Sequence, residues 1–249
     1  MPITVQVADR IAEIVFDHPP VNAFDTAGWA QLPQMIAWAG EREDVRCVLI
    51  RAVGKGFCAG VDIKEMAAHP ERIVQLNRDN YLTFKAIRDC AVPVVGAIHG
   101  FAIGGGVNIA GACDVLIGAH GAFFSLPEID RGAMGGAAFM MRMLPLHTVR
   151  GAFFTGGRVS IEDAHRLGAV EKLVAPEALE AEARAFCAII AAKSRTALVL
   201  AKQALNGLEA ADPLRGYRFE QGFTLEMYMH PDSQTARDAF AVGKSAAQF

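Results

Sequence analysis

The chain has 249 residues, of which 52% are hydrophobic and 20% charged, and its formal net charge is −3. This length suits one large domain, or one domain with a smaller appendage, and the lack of a basic cluster argues against nucleic acid as a partner. No apolar run approaches the length of a membrane span, and the cysteines and histidines are dispersed, so we expect no membrane partner and no metal site. The N-terminal stretch holds no apolar signal core, and we expect a cytoplasmic protein.

The N-terminal region alternates predicted strands with a helix. Alternating apolar residues predict two paired strands over Ile3–Val7 and Arg10–Phe16. A helix is predicted over Thr26–Gly40, because Leu32, Ile36 and Ala39 would share one face. The next strand covers Val45–Arg51 and is too apolar to be half exposed, so we place it in the centre of a sheet.

A loop of small residues ends at Gly60 and leads into a predicted helix start. Asp62 and Glu65 are spaced as in a capping box, in which each of the two side chains accepts a hydrogen bond from the other residue's amide. A longer helix is predicted over Glu71–Asp89, and a buried strand over Pro93–Ile98.

Three consecutive glycines, Gly104, Gly105 and Gly106, follow that strand and open a helical segment that runs to Ala112. A helix that starts at glycines leaves its first amide N–H groups unpaired and uncovered by side chains, and the helix dipole then favours negative charge at that end. Two interpretations follow from this stretch alone. It is either a site for a transient oxyanion on a reacting carbonyl or a tightly packed crossing of a strand and a helix.

Short strands are predicted over Val115–Gly118 and Ala122–Ser125, and helical patterns dominate beyond Gly135. The predicted helices cover Gly136–Leu144, His147–Thr155, Ile161–Leu167, Glu177–Ala192 and Thr196–Gly207. In the clearest of them, the residues expected on one face are Leu179, Ala183, Phe186 and Ile190. The alternation of strands and helices with long crossovers predicts an α/β fold, a spiral of ββα turns followed by a helical C-terminal region.

The segment Leu214–Tyr228 has an apolar pattern on two sides of a predicted helix. Its first side holds Leu214, Tyr217, Leu225 and Tyr228, and its second side holds Phe219, Phe223 and Met227. A helix that is apolar on both faces needs two packing partners, either both within the monomer or one on a neighbouring subunit. We therefore divide the chain into an α/β core over residues 1–190, the part that the resemblance described next implies to bind the ligand, and a helical oligomerisation region over residues 191–249.

Five short motifs occur in one order along the chain: Pro20–Ala23 (P-V-N-A), Phe57–Met66 (F-C-A-G-V-D-I-K-E-M), Gly100–Gly106 (G-x-x-x-G-G-G), Pro127–Ile129 (P-E-I) and Thr155–Gly168. Together they resemble the crotonase superfamily, the enoyl-CoA hydratase/isomerase family, over nearly the whole chain. The resemblance implies a crotonase-like fold, an acyl-CoA thioester as substrate, no cofactor beyond the coenzyme A of that substrate, and a homotrimer or homohexamer.

The resemblance also implies the site. Val61 and Gly105 would donate their backbone amides to the thioester oxygen, and each such donor is typically worth about 2.7–4 kcal/mol in the transition state. Glu128 would be the acid and base, and its apolar neighbours favour a raised pKa; the alternative is an ion pair with Arg131. The residues that would bind the substrate are Ala59, Gly60, Asp62, Ile63, Lys64 and Gly104. For Asp62 a purely helix-capping role is the alternative.

Asn108 departs from the family pattern, because hydratases of this family carry a second glutamate at this position, whereas an amide cannot accept a proton. Three hypotheses remain open: a hydratase or isomerase with one acid, a hydrolase that opens a β-diketone ring, and a non-catalytic acyl-CoA-binding protein. The stretches GVDIKEM, LPEIDRGAMGG and YRFEQGFTLE resemble ring-opening hydrolases of steroid-derived acyl-CoA. Asp130 is either a reserve acid or a surface residue facing Arg131.

Overall fold

The computed structural model describes residues 3–243. The strands are β1 (Ile3–Ala8), β2 (Ile11–Phe16), β3 (Ala23–Phe24), β4 (Cys47–Ala52), β5 (Gly60–Val61), β6 (Val94–Ile98), β7 (Phe101–Ile103), β8 (Val115–Ala119), β9 (Phe123–Ser125), β10 (Arg158–Ser160) and β11 (Lys172–Val174). The helices are α1 (Thr26–Glu41), α2 (Ile63–Ala68), α3 (Ile73–Asp89), α4 (Gly105–Ala112), α5 (Ala137–Met143), α6 (Leu146–Thr155), α7 (Ile161–Arg166), α8 (Leu179–Ala191), α9 (Arg195–Leu208), α10 (Pro213–Met229) and α11 (Pro231–Ala241). Short 3₁₀ turns cover Pro70–Arg72, Pro127–Arg131 and Pro176–Ala178.

The strands form three sheets. The largest has six strands in the order β1-β2-β4-β6-β8-β11, the second has the order β10-β9-β7, and β3 pairs with β5. In the largest sheet β1 and β2 are antiparallel and every later pair is parallel, with helices as the crossovers. This arrangement confirms the predicted α/β fold with ββα turns, and it places β4 in the interior of its sheet as its apolar sequence requires.

The main sheet is buried on both faces because its strands carry apolar residues at both odd and even positions. In β4, Val48 and Ile50 belong to the larger core under α1, α3 and α4, whereas Cys47 and Leu49 belong to a smaller core on the other face. Helix α8 covers that smaller core with Leu179, Ala183, Cys187 and Ala191. The predicted α8 face was correct for Leu179 and Ala183, while Phe186 and Ile190 lie at its partly buried edge.

The predicted capping box at α2 forms only in one direction. The Asp62 carboxylate accepts hydrogen bonds from the amides of Lys64 (2.9 Å) and Glu65 (3.4 Å). The Glu65 carboxylate does not return the bond; it accepts from the amide and the hydroxyl of Thr26, both at 2.8 Å. The amide of Asp62 is instead paired with the carbonyl of Phe24 at 2.8 Å, because β3 and β5 form a parallel pair at this point. Glu65 thus ties α2 to the start of α1.

The two-sided pattern predicted for α10 is correct in part. Its buried face repeats at helical spacing through Tyr217, Gln221, Thr224 and Tyr228, and Leu225 lies outside it, 38% exposed. Polar residues take part in this face because each finds a buried partner: the Gln221 amide donates to the carbonyl of Asn77, and the Thr224 hydroxyl donates to the carbonyl of Met134. The opposite face of α10 is exposed within the monomer, as Phe219 and Phe223 are.

Five short strands were not expected from the sequence: β3, β5, β7, β10 and β11. Each has only two or three residues, so its own pattern carries little signal, and its extended conformation is fixed by the strand beside it. Within residues 3–243 no helix has both the length and the apolar character needed to cross a membrane.

Candidate active site

A mainly apolar cavity of about 130 Å³ lies where the first half of the chain meets the C-terminal helices. Its wall comes from β5 and α2, from one side of α3, from the start of α4, from the 3₁₀ turn over Pro127–Arg131, and from α10 and α11. Seven of the residues predicted for the site line this cavity: Ala59, Val61, Ile63, Gly104, Gly105, Asn108 and Glu128.

The three consecutive glycines are explained by close packing on three different sides. A Cβ atom on Gly104 would lie 2.4 Å from Oε1 of Glu128, and one on Gly105 would lie 2.7 Å from the indole ring of Trp29. A Cβ atom on Gly106 would lie 2.3 Å from the carbonyl oxygen of Cys58. Only glycine therefore allows the start of α4 to approach the carboxyl group, the buried tryptophan and the β5 loop together.

Helix α4 begins at Gly105, and the first hydrogen bonds of the helix are donated by residues that follow Gly105 in the chain. The amides of Val107 (2.9 Å) and Asn108 (3.3 Å) both donate to the carbonyl of Gly104, and the amide of Gly104 itself donates to the carbonyl of Ser125 (3.0 Å). The amide of Gly105 lies in the first turn, where the helix offers no partner, and it lines the cavity. The positive end of the helix dipole therefore points into this wall.

Val61 lines the same cavity from β5. Alternate amides of a strand point to opposite edges, and the Asp62 amide is bonded to Phe24 of β3, so the Val61 amide points away from β3. Gly60 makes the contact that joins this segment to α4: it adopts φ +84°, and a Cβ there would lie 2.9 Å from the amide nitrogen of Gly105. The structure thus brings Val61 and Gly105, which are far apart in the sequence, to one cavity.

Glu128 is the one carboxyl group among the described residues of the cavity wall. Its Oε2 is buried, and no described residue forms a hydrogen bond with that atom. The pKa of Glu128 is raised to about 8, mainly by burial and to a lesser extent by the negative charge of Glu220, while a backbone hydrogen bond and Arg131 act in the opposite direction. Glu128 can therefore exist in either protonation state close to neutral pH, as its apolar surroundings predicted.

Asn108 lies on the same wall, one helical turn after Gly105. Its Oδ1 is buried, and no residue in the described range 3–243 forms a hydrogen bond with that atom. The amide packs against Gly136, where a Cβ would lie 2.9 Å from Oδ1 and 3.1 Å from Nδ2. A buried amide oxygen without a protein partner is available to a ligand or a water molecule.

Glu220 lies behind this wall of the cavity, and no role was predicted for it from the sequence. Its carboxylate accepts hydrogen bonds from the amides of Gly136 (2.9 Å), Ala137 (3.1 Å) and Ala138 (3.4 Å), which are the first amides of α5. Burial raises the pKa of Glu220 to about 7, and these three amides oppose the rise. The residue fixes the turn that lies against Asn108, and only its position on α10 brings it there.

Some of the predicted residues do not line the cavity. Gly60 is buried within β5, and Lys64 is exposed. The Asp62 carboxylate accepts hydrogen bonds as the N-cap of α2. Asp130 also points elsewhere, because its Oδ2 lies against Gly156, where a Cβ would be 2.4 Å away. Asp62 and Lys64 thus sit at the outer rim beside the cavity, and the prediction that they bind substrate remains a prediction.

The C-terminal helices complete the cavity, which the sequence did not indicate. Tyr217, Thr224 and Tyr228 of α10 and Arg237 of α11 line it, together with Arg131 of the 3₁₀ turn. The helical periodicity of α10 predicted a packed face that includes Tyr217 and Tyr228, but only the tertiary structure places that face over the cavity. Val61, Gly105 and the protonatable Glu128 therefore share one cavity. Backbone amides near a carboxyl group are the kind of groups that can hold a carbonyl while charge develops on its oxygen.

Comparison with known proteins agrees with this geometry. The family model described as enoyl-CoA hydratase/isomerase matches residues 6–249. The chain is similar to two proteins named (7aS)-7a-methyl-1,5-dioxo-2,3,5,6,7,7a-hexahydro-1H-indene-carboxyl-CoA hydrolase. It is 41% identical to the one from Rhodococcus jostii (strain RHA1), with 93% of this chain and 91% of that protein covered. It is 38% identical to the one from Mycobacterium tuberculosis (strain ATCC 25618 / H37Rv), with 96% and 98% covered.

The fold is also similar to a solved enoyl-CoA hydratase/isomerase from Xanthobacter autotrophicus Py2, with a TM-score of 0.89, 25% identity, and 98% of this chain and 94% of that chain covered. The chain belongs to the enoyl-CoA hydratase/isomerase family, the crotonase superfamily. It is an acyl-CoA enzyme, and the names of its relatives favour catalysis over the alternative of a protein that only binds acyl-CoA.

Proposed function

We propose that this enzyme hydrolyses a carbon–carbon bond in the ring of a cyclic keto acyl-CoA. The observation that carries the proposal is the composition of the cavity wall, where one carboxyl group, Glu128, is accompanied by the neutral Asn108. One group that exchanges a single proton suits a reaction in which one water proton is taken and later returned. The relatives at 41% and 38% identity, both named as hydrolases of an indene-carboxyl-CoA, support the same reaction class.

The proposed roles follow from the positions of the groups. The carboxylate form of Glu128 accepts a proton from a water molecule, whose oxygen bonds to the ring ketone carbon. The bond between that carbon and the carbon beside the thioester then breaks, and its electron pair is delocalised onto the thioester oxygen. The amides of Val61 and Gly105 donate hydrogen bonds to this oxyanion. Protonated Glu128 returns its proton to the former ring carbon, so one water is consumed and one new carboxyl group is formed.

Asn108 and the substrate-binding residues have supporting roles in this proposal. The buried amide of Asn108 holds the attacking water or the ring ketone, for which its unpartnered Oδ1 and its Nδ2 supply an acceptor and donors. Ala59, Ile63 and Gly104 line the path of the thioester, Asp62 and Lys64 lie at its outer rim, and the buried Gly60 holds Val61 against α4. The reaction needs only water and the acyl-CoA, and we propose that it takes place in the cytoplasm in a trimer or a hexamer.

A second candidate is hydration or double-bond isomerisation of an enoyl-CoA, which the family model supports. Isomerisation also needs only one acid–base group, and Glu128 could move a proton between two carbons of the acyl chain. Hydration in this family pattern uses two carboxyl groups, and Asn108 supplies none. The two candidate functions differ in whether the carbon skeleton of the substrate is broken.

The discriminating experiment compares 2-oxocyclohexane-1-carboxyl-CoA with crotonyl-CoA by mass spectrometry. The cyclic substrate has no carbon–carbon double bond, so water can be added to it only by ring opening or by thioester hydrolysis. Ring opening gives pimelyl-CoA, and in ¹⁸O-labelled water the label enters its new carboxyl group. The expected result is ring opening with little hydration of crotonyl-CoA. Release of free coenzyme A, or turnover of crotonyl-CoA alone, would contradict the proposal.

A further inference from the structure

The charges in the cavity wall are not balanced. Among its described residues the charged side chains are Glu128, Arg131 and Arg237, and burial keeps Glu128 largely protonated near neutral pH. The wall then carries two positive charges and no full negative charge. A thioester and an alkyl chain are neutral, so they give no reason for buried positive charge. The imbalance points to an anionic group on the part of the substrate that enters this cavity.

Arg237 already has partners within the protein. Its Nη1 donates to the Ser233 hydroxyl and its Nη2 donates to Oε1 of Gln234 at 2.7 Å, while the guanidinium lies 4.0 Å from the centre of the Tyr228 ring. The Ser233 hydroxyl in turn donates to the carbonyl of Gly132. Arg237 thereby fixes α11 against the end of the 3₁₀ turn, and its position is explained without a ligand.

Arg131 differs from Arg237 in this respect. Its guanidinium lies 4.6 Å from the centre of the Phe240 ring, which fixes its plane, and the carboxyl groups of Glu128 and Asp130 act on it through space without a hydrogen bond. Its neighbour Asp130 turns its carboxylate towards Gly156 instead. Burial lowers the pKa of Arg131, yet a guanidinium remains charged in proteins. The site therefore holds a partly buried, oriented cation with several free N–H donors.

Arg131 lies beside the group proposed to act on the acyl part of the substrate. It comes three residues after Glu128 in the same 3₁₀ turn, and both residues line the cavity. The residues predicted to contact coenzyme A are Ala59 and those from Val61 to Lys64. Because Glu128 is proposed to act on the acyl group, an anion bound by Arg131 in this turn is carried by the acyl group.

We propose that Arg131 binds a carboxylate at the end of the acyl group remote from the thioester. A planar guanidinium matches the two oxygens of a carboxylate, and such charge-assisted pairs are among the stronger hydrogen bonds in proteins. This inference deepens the proposed function, because opening a ketone ring creates a carboxylate of this kind. It predicts that acyl-CoA thioesters with a terminal carboxylate are ligands of the enzyme even where no reaction follows.

The experiment measures binding without turnover. Dissociation constants of pimelyl-CoA and heptanoyl-CoA are measured by calorimetry, because these ligands have equal chain length and differ only in a terminal carboxylate or methyl group. The wild-type protein is expected to bind pimelyl-CoA at least about tenfold more tightly, as for one charge-assisted bidentate pair. Arg131→Met is expected to abolish this preference while leaving the affinity for heptanoyl-CoA unchanged, and Arg131→Lys to retain part of it.

Arg158→Met is the matched control, because Arg158 also stacks on a phenylalanine (4.2 Å from the Phe123 ring) but is exposed and outside the cavity. It should keep the full preference for pimelyl-CoA. No preference in the wild-type protein, or an unchanged preference in Arg131→Met, would overturn the proposal. If Arg131→Met bound neither ligand, Arg131→Lys would decide, since a full tenfold preference there would contradict a role for the guanidinium fork. A failure of ring opening appears only in the turnover assay, so the two proposals fail separately.

Discussion

At the scale of single residues, the chemistry depends on how the cavity treats the carboxyl group of Glu128. Water is excluded from its Oε2, no described residue forms a hydrogen bond with that atom, and a backbone hydrogen bond and the charge of Arg131 compensate only in part for the loss of hydration. The neutral form is therefore favoured, and the pKa rises to about 8. A carboxyl group poised in this range can take a proton from water and release it again within one turnover.

The first prediction concerns the pH dependence of this group. Because attack on the ketone needs the carboxylate form, kcat/KM should rise with pH and level off above about pH 8, since kcat/KM reports the pKa of the free enzyme. Glu128→Gln should lose at least about 10²-fold in turnover and should lack this rising limb. The measurement is initial rates from pH 5 to 10 with the cyclic substrate.

The free energy of unfolding should depend on the same pKa, but it should fall with rising pH over the range in which kcat/KM rises. A glutamate whose pKa is raised by folding stabilises the folded state most at low pH, and this contribution is lost as the pH rises through about 8. Relative to Glu128→Gln, the wild-type protein should therefore lose unfolding free energy between pH 5 and 9 in urea titrations. A pH–rate profile that falls through this range, or equal pH dependence of stability in both proteins, would argue that Glu128 is not the titrating group.

A second prediction at this scale concerns Asn108. Replacing it by glutamate supplies a second proton-transfer group on the wall that holds Glu128, so Asn108→Glu should raise the rate of crotonyl-CoA hydration at least about tenfold. Asn108→Gln is the control for side-chain length, because glutamine is of the same size and cannot accept a proton. Equal hydration rates in the two folded variants would contradict the explanation given for this residue.

At the scale of secondary-structure elements, the site is made by the contact of β5 with the start of α4. Gly60 and Gly105 touch through their backbones, and this contact fixes where the Val61 amide lies relative to the helix. Sequence periodicity predicted α1, β4, β6 and α8 well because each has many apolar residues on a defined face. It could not predict β3 or the bonding of Glu65 to Thr26, because both depend on a segment that is distant in the sequence.

The third prediction tests this contact with a matched pair of glycines. Gly60 and Gly168 both have φ +84°, but a Cβ on Gly60 would lie 2.9 Å from the Gly105 amide, whereas one on Gly168 would meet nothing within 4 Å. Alanine at either position should cost roughly 1–2 kcal/mol of stability for the left-handed backbone, and Gly60→Ala should cost more than Gly168→Ala because its Cβ also meets backbone atoms. Only Gly60→Ala should also lose about 10²-fold in kcat/KM, because it displaces an oxyanion donor.

Thermal unfolding and steady-state kinetics of the two variants check this prediction. The kinetic comparison is made at a temperature where both are folded, so that a loss of stability does not pass for a loss of activity. If Gly168→Ala lost as much activity as Gly60→Ala, the effect would come from general destabilisation. The contact between β5 and α4 would then not be what positions the Gly105 amide.

At the scale of the whole molecule, the C-terminal helices have two different sides. The inner side of α10 closes the cavity with Tyr217 and Thr224, so the region over residues 191–249 contributes to the site as well as to the assembly predicted for it. The last part of that region, residues 244–249, lies outside the described residues. The outer side of α10 exposes Phe219 (73%) and Phe223, whose ring centres lie 5.3 Å apart in an edge-to-face arrangement.

The fourth prediction is that the outer side of α10 meets another copy of the chain in solution. Exposed aromatic residues in contact with each other are unusual on a monomer, and burying them would stabilise an oligomer. Light scattering should give a mass of three or six chains for the wild-type protein. The double variant Phe219→Ser/Phe223→Ser should shift the mass towards smaller species, whereas Val74→Ser, an exposed apolar residue on α3, should not. A monomeric wild-type protein would contradict the prediction.

The sequence by itself determined the local parts of this protein: the helices from α1 to α10, the central strands, the glycine start of α4, and the position of Glu128 in an apolar run. These follow from residue spacing and backbone preference, which act over a few positions. Tertiary structure decided that Glu220 holds the turn beside Asn108, that α10 and α11 close the cavity, and that Arg131 lies in it against the Phe240 ring. Burial and charge balance are sums over residues distant in the chain, so only the folded molecule specifies them.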